Sequence, residues 1–185
     1  MIRLTLCDLR DDCVASLRRR FEGISSVEVL KRDITKVKVD AWATAGNSFG
    51  DMGGGVDRAI DQYYGGAAQR AVRESIQQHY FGELPVGSAV VVTPKSGAPR
   101  VVYAPTMRVP GLLHGSINAY LAMRAILIVS RRAGIEHVAC PTLCVGVGGM
   151  MPDEAADQMF QAYRLIELDG WREVVHMLQA PYVMK

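Results

Sequence analysis

The sequence predicts a three-layer α/β sandwich, and three observations carry that reading. Strand-like and helix-like segments alternate along the chain, as strands and their covering helices do in α/β folds. Two glycine-rich loops each stand between a strand and a helix, the position that falls at the carboxyl-end rim of such a sheet. The 185 residues are 49% hydrophobic, enough for one sizeable core, so residues 1–185 read as a single domain.

Taken in order, Ile2 to Cys7 reads as a strand and Asp8 to Phe21 as a helix, with Leu9, Val14, Leu17 and Phe21 interleaved with arginines. Val27 to Leu30 and Ala41 to Thr44 read as strands. A helix starts near Val56, breaks at Gly65-Gly66 because a glycine pair punctuates a helix, and resumes to about His79. Ala89 to Thr93 and Val101 to Ala104 are short β-branched runs bounded by Pro and Gly, which suits buried strands. Ser116 to Ala133 is apolar around most of a helical circumference and is expected to pack deep against the sheet. Val138 to Cys140 is the next strand. Pro152-Asp153-Glu154 opens a helix, proline fitting the first turn and acids the positive end of the dipole, with Ala155, Met159, Phe160 and Tyr163 on one face. Glu173 to Leu178 reads as a closing strand.

Composition removes several classes of function. Lys and Arg total 21 against 19 acids, a net charge of +2, so there is no global field to draw in nucleic acid. The Arg18-Arg19-Arg20 run reads as a solvated helix face. Apolar runs such as Ala125 to Val129 are far below the roughly 20 residues of a membrane span. Met1 to Cys7 is too short an apolar stretch for a signal peptide, and Asp8, Asp11 and Asp12 follow at once, so a cytoplasmic protein is expected. Cys7, Cys13, Cys140 and Cys144 lack paired metal-ligand spacing, and free thiols are expected in a reducing compartment. His79, His114, His137 and His176 share no motif. No metal or cofactor is called for.

Chemistry is concentrated in the two loops. Gly53, Gly54 and Gly55 immediately precede the helix that starts near Val56. Without Cβ atoms the backbone can pass close to a ligand, and the free N–H groups of a helix N-terminus favour a phosphate. Cys144-Val145-Gly146-Val147-Gly148-Gly149 follows the Val138 strand and precedes the Pro152 helix, on the same rim. Tight turns needing positive φ are the alternative for both loops. Neither loop fits a nucleotide fingerprint: Gly-x-x-x-x-Gly-Lys is absent, and Gly146-x-Gly148-Gly149 lacks dinucleotide spacing.

In order, Arg32-Asp33-Ile34-Thr35, Val39-Asp40-Ala41, Ala45-Gly46-Asn47-Ser48, Gly53-Gly54-Gly55-Val56-Asp57 and Ala59-Ile60 resemble the motifs of macro domains. Gly146 to Gly149, with Pro152 and Ala155-Ala156, is similar to that family's second phosphate loop, so the resemblance runs from about Ile2 to Leu178. It implies an α/β/α sandwich with a mixed central sheet, ADP-ribose or an ADP-ribosylated substrate as partner, and nucleic acid only as a modified substrate. It also implies hydrolysis at the distal ribose, as de-ADP-ribosylation or O-acetyl-ADP-ribose deacetylation; a non-catalytic reader and an ADP-ribose 1''-phosphate phosphatase are the alternatives.

Carried over residue by residue, Asp33, with Ile34 beside it, matches the aspartate that accepts from the adenine amino group; the residue's own chemistry also allows an Asx-turn on Thr35. Asn47 matches the asparagine on the distal ribose, or shapes a turn. Asp57 matches an aspartate that positions or activates water, or stabilises the first helical turn. Gly53 to Val56 and Cys144 to Met150 would enclose the pyrophosphate and distal ribose, with Cys144 as a small packing residue. The chain departs from the family pattern at Thr44, at Gly148 and Met150 where an aromatic residue is common, and in Tyr103-Ala-Pro-Thr-Met107.

Overall fold

A computed structural model describes residues 1–181 and places six strands in one sheet. In chain order the elements are β1 (Arg3–Asp8), α1 (Asp11–Arg20), β2 (Val27–Lys31), β3 (Ala41–Asn47), α2 (Gly55–Tyr63) and α3 (Ala67–Tyr80). They continue with β4 (Val90–Val92), β5 (Arg100–Met107), α4 (Asn118–Arg132), β6 (His137–Cys140) and α5 (Pro152–Glu167). The sheet order is β2-β1-β6-β3-β5-β4. Every neighbouring pair is parallel except β4 with β5, so the sheet is mixed.

Residue alternation along the central strands builds a core on each face, since successive side chains of a strand point to opposite sides. Leu4, Leu6, Ala43, Val102, Ala104, Val138 and Cys140 face a core completed by α1, α4 and α5. Cys7, Trp42, Val101, Tyr103 and Ala139 face the opposite core, completed by α2 and α3 through Ile60, Val72 and Ile76. Each fully buried Leu or Ile contributes about 1.5–3 kcal/mol of transfer free energy. This two-sided burial is why the central strands read as nearly continuous apolar runs.

The helices end where local chemistry dictates. Gly65 and Gly66 have φ of 58° and 83°, which separates α2 from α3 as the glycine pair predicts. Pro152 sits in the first turn of α5 with Asp153 and Glu154 beside it. The triple arginine is more than a solvated face: Arg19 pairs with Asp153 and Arg20 with Asp157, and the Arg20 guanidinium lies over the Phe160 ring, so two of the three dock α1 on α5. Being half-exposed, such pairs add little stability.

One expectation is overturned. Glu173 to Leu178 is not a strand: Gly170–Glu173 and Met177–Gln179 are single 3-10 turns. Asp169 at φ 56° turns the chain after α5, and Glu173 pairs with Arg164 at 2.9 Å, which folds this segment back along the helix end. Val174-Val175 has strand propensity but no sheet edge beside it to pair with. Among the described residues no helix is long and apolar enough to cross a membrane.

Candidate functional site

The cleft forms where the strand order reverses. β6 pairs with β3 only at Ala41 and Trp42, so β3 runs on beyond its neighbour and the sheet opens at its carboxyl end. A cleft of about 550 Å³ occupies that opening, within the usual range for a ligand site. Its walls come from the ends of β1, β3, β5 and β6 and from both glycine loops.

Loop 47–54 is shaped by its own side chains. The Asn47 carboxamide oxygen accepts from Phe49 N at 3.0 Å and Asp51 N at 3.4 Å, while its Nδ2 donates to Asp51 O at 2.9 Å. Below it, the buried Tyr103 hydroxyl donates to Asn47 O at 2.7 Å and accepts from Asn47 N at 3.0 Å. Asp51 Oδ1 accepts from Gly53 N at 3.0 Å and lies 3.8 Å from Arg73. The backbone N–H groups of Gly54, Gly55 and Val56, at the start of α2, have no protein acceptor among the described residues and border the cleft. They are the donors an anion would use.

Asp57 follows in the first turn of α2 and is 5% exposed. Its Oδ1 accepts from Ala45 N at 3.3 Å, tying α2 to β3, and it lines the cleft. Burial pushes its carboxyl up to about 7, with the Ala45 N–H pulling the other way and Asp51 adding a smaller upward push. A carboxyl poised there is suited to take a proton near neutral pH.

The second loop crosses the other side of the cleft. Met150 N donates to Cys144 O at 3.1 Å, Gly149 N to Gly146 O at 3.2 Å, and Leu113 N to Gly148 O at 2.8 Å. These bonds close the loop while leaving the N–H groups of Val145 to Gly148 without a protein acceptor among the described residues. Successive free donors of this kind form an anion-binding concavity. Cys144 stands at the loop's root, buried, at φ 66°. Burial pushes its thiol up to about 12, so it is a packing group and no thiolate nucleophile.

Asp33 and Ile34 lie at the far end of the cleft. Asp33 Oδ1 accepts from both Thr35 N and Thr35 Oγ1 at 2.9 Å, so the Asx-turn exists. Both bonds fall on one oxygen, and Oδ2 is left without a protein partner among the described residues. Turn formation and ligand acceptance are therefore compatible in this one residue.

Most of the residues singled out in the sequence thus meet in one cleft: Asp33, Ile34, Asn47, Gly53 to Asp57 and Cys144 to Gly148. Gly149 and Met150 do not border it. Met150 is 2% exposed and belongs to the α1/α4/α5 core, so its side chain is not available to cover a sugar. Sequence reading passed over Asp8 to Arg10, Asp51, Thr106 and Pro141-Thr142, which also line the walls. The end of β1 was findable from the rim rule, whereas Thr106 depends on a strand irregularity that no composition signal marks. Among the described residues no group of three or more His, Cys, Asp or Glu side chains could hold a metal ion.

A parallel-rich α/β sheet with two anion-receptive loops on its carboxyl rim defines the class, and comparison with known proteins defines the family. The chain belongs to the Macro domain family, whose pattern it matches over residues 43–159. It is 36% identical over 137 residues to an uncharacterized protein of Aeropyrum pernix, covering 72% of this chain and 68% of that one. An uncharacterized protein of Aquifex aeolicus is 34% identical over 142 residues, covering 76% and 82%. The fold is similar to the macrodomain of Mycobacterium tuberculosis DarG, with TM-score 0.63 and 21% identity over 74% of this chain and 88% of that one. A mutant Oceanobacillus iheyensis macrodomain with ADPR gives TM-score 0.62 and 21% identity, over 74% of each chain.

Proposed function

We propose that the cleft binds ADP-ribose and that the protein hydrolyses ADP-ribosyl linkages at the distal ribose. What carries this reading is two runs of free backbone N–H groups, Gly54 to Val56 and Val145 to Gly148, facing one cleft that has an acidic acceptor, Asp33, at its far end. Two donor runs suit a pyrophosphate better than a single phosphate, and the Asp33 oxygen without a partner suits the amino group of adenine. The ADPR-bound state of a macrodomain with this fold supports the same ligand.

In the proposed reaction, water adds to the anomeric carbon of the distal ribose as the bond from that carbon to the linked oxygen breaks. The water proton passes to Asp57, and the leaving carboxylate departs with the bonding pair. Fixed N–H groups meet the developing charge without reorganising. The substrates are an ADP-ribosylated side chain or O-acetyl-ADP-ribose, with modified nucleic acid as a further source of the same linkage. Residues 1–185 act as one domain in this reading. Four free thiols suit a cytoplasmic setting.

One observation favours a second reading, that of a non-catalytic reader: the Asn47 carboxamide, assigned to the distal ribose, is already spent on its own loop. Turnover of a glutamate-linked ADP-ribosyl peptide separates the two. If Asp57 handles water, Asp57→Ala keeps ADP-ribose affinity within about threefold and loses roughly 10²-fold or more of turnover, because the group acts mainly in the transition state. Wild-type protein that binds but turns over none of these substrates is a reader. Turnover that survives in Asp57→Ala moves the proton acceptor elsewhere, to the substrate's own phosphate or the second loop.

A further inference from the structure

The stretch Tyr103 to Met107, where the sequence departs from its family's pattern, contains a strand irregularity. β3 pairs with β5 as Ala45 to Ala104 and Gly46 to Pro105, and then as Asn47 to Met107. Thr106 is skipped. It is the extra residue of a bulge, a device that re-aims a side chain. Pro105 just before it has no N–H for the ladder.

The bulge sends the buried Thr106 side chain between the two loops. Its Oγ1 lies 3.3 Å from Ala45 O and 3.3 Å from Gly46 O, and it is within hydrogen-bonding reach of the Cys144 thiol. A hydroxyl has one proton and two lone pairs, so it can donate to those carbonyls while accepting from the thiol. The Thr106 carbonyl accepts from Asn118 Nδ2 at 2.8 Å, which fixes the bulge to the start of α4. Cys144 is a non-glycine residue at φ 66°, a conformation that persists only where its surroundings enforce it. One hydroxyl therefore touches the strand end that launches the first loop and the residue that launches the second.

We infer that Thr106 is a positioning residue of this cleft, its hydroxyl setting the distance between the two rows of N–H donors. The inference rests on the reading of those rows as joint holders of a pyrophosphate. AMP, with one phosphate, does not need both rows in register, and ADP-ribose does. Thr106 itself makes no contact with the reacting atoms in this account; it acts through Ala45, Gly46 and Cys144.

The test titrates Thr106→Val and Thr106→Ser with ADP-ribose and with AMP, and measures amide hydrogen exchange without ligand. Valine keeps the shape and removes the hydroxyl. It is expected to weaken ADP-ribose about tenfold or more and AMP by less than about threefold, and serine is expected to restore the wild-type value. In the ligand-free Thr106→Val protein, exchange should accelerate at both residues 53–56 and residues 145–148, with α3 unchanged. Faster exchange in one loop only, or equal losses for ADP-ribose and AMP, overturns the inference. Should the valine protein lose its thermal transition, Cys144→Ala removes the other end of the link, and wild-type exchange at residues 145–148 in that variant overturns it equally. If wild-type protein binds no ADP-ribose, the functional reading falls by itself and the exchange data still decide on Thr106.

Discussion

The two glycine loops look alike in the sequence and differ in why they need glycine. A Cβ built at Gly54 meets nothing within 4 Å, and that residue has an ordinary extended backbone. A Cβ at Gly148 would overlap the Cys144 carbonyl oxygen and lie 2.8 Å from Leu113 Cδ1. Nothing in the fold requires glycine at position 54, so the empty space there belongs to the ligand. At position 148 the fold itself requires it, because the loop closes tightly over its own root and under the segment before α4. A count of glycines cannot tell these apart; only the neighbours of the missing Cβ do.

The sharpest break in that comparison is Gly54→Glu. It should fold with stability within about 1 kcal/mol of wild type, since the N-cap backbone suits any residue. Its side chain and charge would enter the anion path, and ADP-ribose affinity should fall by at least about 10²-fold by calorimetry. Gly148→Ala should behave in the opposite order. Thermal unfolding should show a loss of about 1–3 kcal/mol from overpacking, and any loss of affinity follows from the disturbed loop. A Gly54→Glu protein that unfolds, or a Gly148→Ala protein as stable as wild type, would reverse the assignment.

A smaller effect probes the first loop through Asp57, whose carboxyl is pushed up to about 7 by burial. Because the folded value lies above the unfolded one, the folded state holds the extra proton between about pH 4 and 7. Stability is then fully present below that window and is lost as pH rises through it, at up to about 1.4 kcal/mol per pH unit. Asp57→Asn removes this component, so its stability relative to wild type should rise from pH 4 to 7, as read by denaturant unfolding at several pH values. Turnover should run the other way, increasing through about pH 7 as the carboxylate forms. A pH-independent difference between variant and wild type would mean that Asp57 is solvated and ordinary.

What the sequence made legible was whatever depends on local pattern. Strand alternation, the helix break at Gly65-Gly66, the proline start of α5 and the rim position of both loops all follow from neighbouring residues and hold in the structure. The short β-branched segment at Val174-Val175 misled because propensity says nothing about whether an edge is free to pair. Met150 stood beside the right glycines, yet its side chain turned into the core, which loop sequence alone does not reveal. Tyr103 and Thr106 were noticed only as a departure from a pattern. Their roles arise from a register shift between strands 56 to 61 residues apart in sequence. Asp33 shows the reverse case, in which the turn and the ligand-facing oxygen were both readable because both use the residue's own short side chain.

The account's central claim is that two rows of backbone donors act on one ligand. Calorimetric titration of the wild-type protein with ADP-ribose and with AMP tests it most directly, because AMP keeps adenine and one phosphate and lacks what the second loop would hold. ADP-ribose should bind at least about tenfold more tightly, a difference of about 1.4 kcal/mol or more. Equal affinities would contradict the claim and leave the second loop as a structural turn.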